Sequence, residues 1–141
     1  IHHRGKQDAP GLVLALDRKA GAKCQGLALR TQLGTERQTL DYLRARELVS
    51  AAYLEKMIPV VLQSGQIVTA VAYVIDPEHV QYCQGQALED QAQIIAVATG
   101  GRGPNWEYLS RTSAILTDLG IMDADLSWLD TRVHQIRTRQ I

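Results

Sequence analysis

The segment MIPVVLQSGQIVTAVAYVID, residues 57–76, decides how the first half of the chain is read. Two apolar runs, Met57 to Gln63 and Gln66 to Asp76, flank Ser64-Gly65. The second run is crowded with Val, Ile, Thr and Tyr, side chains that suit a pleated, half-buried surface. A two-residue turn at Ser64-Gly65 joins the runs into a β-hairpin. Pro59 has no N–H to give to a ladder, so it belongs near the start of its strand or on an edge.

Toward the N-terminus, Gly11 to Asp17 and Cys24 to Arg30 are two shorter apolar runs separated by Lys, Gly and Ala, and they read as a second hairpin of buried strands. Between the pairs, Thr35-Glu36-Arg37-Gln38 has the form of a capping box that opens a helix running to about Leu48. Beyond Asp76 the periodicity turns helical. Leu88 to Thr99 places Leu88, Ala92 and Ile95 on one face and stops at Gly100-Gly101, a C-cap signature. Tyr108, Thr112, Ile115 and Leu119 form the stripe of a second helix beginning near Pro104 and ending at Gly120. Asp123 caps a third helix, with Leu126, Leu129, Val133 and Ile136 as its buried stripe. The basic tail carrying Arg132, Arg137 and Arg139 reads as a solvated helix end. Strands first and helices after imply an α+β domain with a mostly antiparallel, barrel-like sheet and flanking helices.

The 141 residues, 45% hydrophobic and 21% charged, suit one domain spanning residues 1–141. Fifteen basic residues balance fifteen acidic ones, which argues against nucleic acid or an anionic membrane as partner. No apolar run reaches the ~18 residues a membrane span needs. Cys24 and Cys83 lack CxxC spacing and are too few for a disulfide framework, which favours a reducing compartment and a cytoplasmic protein. The chain opens on Ile1-His2-His3-Arg4-Gly5 with no initiator Met, as a sequence entered partway through.

For chemistry, one carboxylate stands out. Leu40 and Leu43 set the apolar stripe of the helix from Glu36, and Glu47 follows them on the same side. Spacing leaves two readings open. Glu47 either ends the helix and pairs with Arg44 or Arg46, or is a partly desolvated acid whose raised pKa suits proton transfer. His2, His3, His79 and His134 lie at no ligand spacing, so neither a metal nor another cofactor is expected. Ser50, Ser64, Ser110, Ser113 and Ser127 lie in no nucleophile-elbow pattern. Gly100-Gly101-Arg102-Gly103-Pro104-Asn105 lacks the P-loop ending and reads as a tight connection between helices.

Together these segments resemble the ChaC-like γ-glutamylcyclotransferase family. His3-Arg4-Gly5 followed by Ala9-Pro10-Gly11-Leu12-Val13 is similar to its HRG and APGLV segments. Tyr42-Leu43-Arg44-Ala45-Arg46-Glu47 resembles its YL-x-x-RE segment, with Tyr53 beyond it. Asp76, His79, Gln81 and Tyr82 resemble D-x-x-H-x-QY, and Gly103, Asn105, Glu107, Tyr108 and Leu109 resemble G-x-N-x-(D/E)-YL. The resemblance implies cleavage of glutathione to 5-oxoproline and cysteinylglycine, with Glu47 as the acid/base residue and a small molecule as partner. Arg4, Tyr53, Tyr82, Asn105 and Tyr108 are the expected substrate contacts. Rival readings are a cyclotransferase for other γ-glutamyl amines or amino acids, and a catalytically silent binding domain. The family's Y-G-S-L segment, an N-terminal strand and substrate loop, does not occur in the sequence, and Gln84 stands where the family has Gly. A domain without that strand is expected to pair its open sheet edges elsewhere, so oligomerisation is compatible with this reading.

Overall fold

A computed structural model describes residues 3–139. The chain divides into two compact units, one of Ile1–Leu14 with Cys83–Ile141 and one of Ala15–Tyr82.

In the unit Ala15–Tyr82, helix α1 spans Glu36–Glu47 and is followed by strands β1, Tyr53–Val61, and β2, Ile67–Ile75. The hairpin is antiparallel from Tyr53↔Ile75 to Val61↔Ile67. β1 begins four residues before the expected start, and the connection is five residues rather than two. Leu62 N–H donates to Gln66 O and Gly65 N–H to Leu62 O, and Gly65 takes φ 85°, so the tip closes as a longer loop around Ser64-Gly65. Pro59 faces Thr69, and their neighbours form the hydrogen-bonded pairs, so its missing N–H lies on the outer edge of β1.

Two expectations fail in this unit. Residues 24–30 form no strand, and Leu27 and Leu29 are 67% and 90% exposed. Of the run Gly11 to Asp17 only Leu16 pairs, in a parallel bridge to Val74 in which Ile75 N–H donates to Leu16 O. An apolar run becomes a strand only where a sheet edge receives it, and here the ladder stops after one bridge. The capping box also fails to form: Thr35 Oγ1 donates to Gln32 O at 2.8 Å and gives no side-chain bond to α1.

The other unit is built on helices: α2, Leu88–Val97; strands β3, Thr99–Gly100, and β4, Gly103–Pro104; then α3, Asn105–Asp118, and α4, Ala124–Thr138. Ala92, Ile95, Ala96, Leu109, Leu126, Leu129, Val133 and Ile136 form its core. Full burial of side chains of the Leu and Ile size stabilises by roughly 1.5–3 kcal/mol each, which orders three helices that would be marginal alone. The α4 stripe is the expected one, and Asp123 caps it by accepting from Leu126 N–H at 2.9 Å. On α3 the expected stripe is wrong. Ile115 and Leu119 are exposed, and the buried positions are Asn105 and Leu109. Gly100-Gly101 is not a helix cap: α2 stops at Val97, and the next residues pair Thr99↔Pro104 and Gly100↔Gly103. Asn105 N–H closes the hairpin by donating to Ala98 O, and a tertiary contact holds it, since Arg102 N–H donates to His3 O at 2.9 Å and Gly100 packs against the Gly5 backbone.

Of the basic tail, Arg139 is exposed as expected, whereas Arg132 and Arg137 are only partly so. Arg132 forks onto Glu89 with two bonds of 2.7 Å, tying α4 to α2. Those bonds, helped by Gln93, hold the Glu89 carboxyl at about 2, below the ordinary 4.5. A depressed folded pKa means the contribution is whole above about pH 4.5 and is lost as pH falls toward 2. We therefore expect the stability advantage of wild type over Arg132→Gln to shrink across that window in acid titrations. An advantage that stays constant across it would contradict the assignment. Among the described residues no helix is long and apolar enough to cross a membrane. Cys24 and Cys83 are both exposed. No closed barrel is formed by the described residues.

Candidate active site

Three of the sequence-predicted residues meet in the helical unit. Asn105, fully buried at the start of α3, accepts from Leu12 N–H through Oδ1 and donates to Leu12 O through Nδ2, both at 2.7 Å. Three residues on, Tyr108 accepts from Leu14 N–H at 3.1 Å. Arg4 donates to Arg102 O at 2.6 Å and to Pro104 O at 3.3 Å, and its guanidinium lies 5.5 Å from the Tyr108 ring centre. The spacing of Asn105 and Tyr108 puts both on one face of α3, which holds residues 12–14 in an extended path. Asn105 spends its side chain on main chain rather than presenting it outward.

Glycine permits this close packing. A Cβ at Gly11 would overlap the Arg4 carbonyl, and one at Gly100 would overlap Gly5 N and come within 2.6 Å of His3 O. The obstacles are backbone atoms, which cannot swing away as a flexible side chain can. Gly100→Ala is expected to cost about 1–3 kcal/mol in urea unfolding, a typical overpacking penalty. An unchanged midpoint would show that the two segments separate freely.

Glu47, Tyr53 and Tyr82 belong to the other unit. Glu47 is the last residue of α1 and its side chain is 26% exposed. Arg46 Nε donates to its Oε1 at 2.7 Å, while Oε2 receives no hydrogen bond among the described residues. Tyr53 opens β1 opposite Ile75. Tyr82 donates to Asp17 Oδ2 at 2.5 Å, and this bond, then burial, raises its hydroxyl above the usual tyrosine range.

Sequence reasoning missed a cluster beside Glu47. Arg44 donates to both oxygens of Glu55, at 2.8 and 2.7 Å, and the Tyr73 hydroxyl donates to Glu55 Oε2 at 3.1 Å. The Arg44 bonds lower the Glu55 carboxyl, with a further contribution from Tyr73. Burial raises the Tyr73 hydroxyl, as do its bond to Glu55 and the negative charges of Glu55 and Glu47. Arg46 is raised in turn by Tyr42 and then by Glu47. Because Glu55 takes Arg44, Arg46 is the cation that holds Glu47 among the described residues. The signal was the cross-strand pair Glu55↔Tyr73, which is readable once the hairpin loop is known to be five residues long. Among the described residues no cluster of His, Cys, Asp and Glu is arranged to hold a metal ion.

A family model described as ChaC-like protein matches residues 1–136. The chain belongs to the ChaC-like family. It is 33% identical over 133 residues to the glutathione-specific gamma-glutamylcyclotransferase of Escherichia coli, covering 94% of this chain and 57% of that protein. It is 33% identical over 126 residues to gamma-glutamylcyclotransferase 2-1 of Arabidopsis thaliana, covering 84% of this chain and 58% of that one. The sequence thus spans little more than half the length of these relatives. The crystal structure of a yeast γ-glutamyl cyclotransferase specific to glutathione matches with a TM-score of 0.74 and 19% identity, over 97% of this chain and 82% of the yeast chain. That likeness supports the α+β assignment.

Proposed function

We propose that this ChaC-like chain carries out the γ-glutamylcyclotransferase reaction on glutathione, with Glu47 as the residue that moves the proton. The observation that carries the reading is the 33% identity to a glutathione-specific enzyme over 94% of the chain. The substrate supplies its own nucleophile. Glu47 takes a proton from the α-ammonium of the γ-glutamyl group, and the freed amine attacks the γ-carbonyl carbon. The γ-amide C–N bond then breaks as Glu47 returns that proton to the leaving nitrogen; the second proton, shed by the attacking nitrogen as it becomes the lactam N–H, passes to the released amine, giving 5-oxoproline and cysteinylglycine with its ammonium. Holding amine and carbonyl in the same fold of one molecule removes the entropy cost of a bimolecular encounter. Positioned proton transfer adds about 10²–10⁴-fold.

The local geometry is compatible with this role. Arg46 orients one carboxylate oxygen and leaves Oε2 for the proton. Tyr53 and Tyr82 are read as substrate contacts in the same unit. In the helical unit Arg4 and Tyr108 are read as further contacts, and Asn105 as a positioning residue for the segment at Leu12. We read residues 1–141 as the greater part of one cytoplasmic cyclotransferase domain, the Y-G-S-L segment lying outside this sequence. The two-stranded sheet is read as part of a larger barrel-like one. In its support, Met57, Val61 and Ile67 are 66–69% exposed on one face, and the outward N–H groups of β2 before Ile75 take no partner among the described residues.

A direct comparison tests the substrate. The full protein should release 5-oxoproline from glutathione with a kcat/KM at least about tenfold above that for γ-glutamylalanine, since differential contacts of 1.4 kcal/mol give that ratio. Preference for γ-glutamylalanine would reassign it to the broader γ-glutamyl class. No release from either would favour a silent binding domain.

A further inference from the structure

Between α3 and α4 lies a groove of about 250 Å³ that the cyclotransferase reading does not use. Trp106 and Ser110 face it from α3, and Asp130, Val133, His134 and Arg137 from α4. Asp130, His134 and Arg137 stand at i, i+4 and i+7, on one helix face, so the Cα atoms of Asp130 and Arg137 are offset by roughly 10 Å along the axis. Each is held by its own anchor. Ser110 donates to Asp130 Oδ1 at 2.5 Å, leaving Oδ2 without a bond among the described residues. Arg137 lies 4.3 Å from the Trp106 ring centre and donates through Nη1 to Ala96 O at 3.1 Å, leaving Nε and Nη2 uncommitted among them. The two charges form no ion pair with each other. Val133, 3% exposed, lies between them, and His134 adds a donor at the rim.

Opposite charges fixed apart across an apolar floor are complementary to a ligand that carries both. We propose that this groove binds a small zwitterionic peptide, its ammonium at Asp130 and its carboxylate at Arg137, with its backbone along Val133 and Trp106. An extended dipeptide spans roughly 7 Å, and a hydrogen bond of about 2.9 Å at each end closes a gap of this order. At about 250 Å³ the groove is smaller than drug-sized ligand cavities, which run from about 300 Å³ upward, and so fits a dipeptide rather than a longer chain. Cysteinylglycine is one such dipeptide. Its relevance as a product returning to the enzyme rests on the proposed function, whereas the binding does not.

The test is a titration of the full protein with glycylglycine and with cysteinylglycine, read by Trp106 fluorescence in a Trp128→Phe background and checked by equilibrium dialysis. Both peptides should give a saturable response in the millimolar range. N-acetylglycylglycine, which lacks the ammonium, and glycylglycinamide, which lacks the carboxylate, should bind at least about tenfold more weakly, the loss expected for one charged hydrogen-bonded contact. Asp130→Asn and Arg137→Gln should each weaken the zwitterion by a similar factor, and Arg137→Lys should recover part of the loss. Should a substitution unfold the helices, the blocked peptides on the unsubstituted groove still decide. No saturable response, or equal binding of the blocked peptides, overturns the proposal. Because the readout is binding and not turnover, failure here leaves the cyclotransferase reading standing, and the reverse also holds.

Discussion

Glu47→Gln should lower 5-oxoproline release from glutathione by about 10²–10⁴-fold, the typical worth of a positioned acid/base group. Glutamine keeps the length of the side chain and can still accept from Arg46 through its amide oxygen, so the end of α1 should keep its shape. The loss should fall on kcat with KM little changed, because the proton is moved in the transition state and not in substrate binding. Arg46→Gln offers a contrast. It removes the Nε bond that orients Oε1 without removing the carboxylate, and should cost far less than Glu47→Gln. Turnover by Glu47→Gln at the unsubstituted rate, measured by 5-oxoproline chromatography in the full protein, would place the base elsewhere. Glu55 would then be the first residue to examine, although its two bonds from Arg44 and one from Tyr73 leave it poorly placed to take a proton.

The second large effect falls on stability. Asn105→Ala removes both hydrogen bonds to the Leu12 main chain and leaves that N–H and C=O to find water at a site where the asparagine itself is fully buried. Two lost bonds with their unsatisfied partners should cost about 2–4 kcal/mol. For a chain of this size that corresponds to a fall in Tm of roughly 10 °C. Asn105→Asp is the sharper comparison: it retains the acceptor for Leu12 N–H but turns the group that faced Leu12 O into a second acceptor. It should be at least as destabilising near neutral pH, since two oxygens then face each other in a buried place. A change in Tm under about 2 °C for both variants would mean that residues 12–14 are not held by α3.

How far the sequence could be read depended on whether the deciding interactions were local. The α4 stripe of Leu126, Leu129, Val133 and Ile136 and its Asp123 cap were legible because helix periodicity and an N-cap are set within a few residues. Helix α1 was placed to within a residue of its end, about Leu48 expected against Glu47 observed. The hairpin was legible as two runs around Ser64-Gly65. Its register was not, because a five-residue loop and a two-residue loop carry the same turn signal. Thr35 was misread for a related reason: its hydroxyl had two local partners, and it took the Gln32 carbonyl.

The candidate site divides along the same line. The sequence by itself determined the family, through short motifs in a fixed order, and it put the Glu47 carboxylate on the side of Leu40 and Leu43 near the end of α1. Only the tertiary structure decided what surrounds each group. It gave Arg44 to Glu55 and Arg46 to Glu47, which spacing had left open between the two arginines. It turned Asn105 inward to the Leu12 backbone, and it took Arg132 and Arg137 from solvent into contacts with Glu89, Ala96 and Trp106. The physical reason is range. A helix cap or stripe is fixed over three or four residues, where the chain has few alternatives. The partners of Asn105, Arg132 and Arg137 lie 93, 43 and 41 residues away in sequence and are chosen only when packing brings the two segments together.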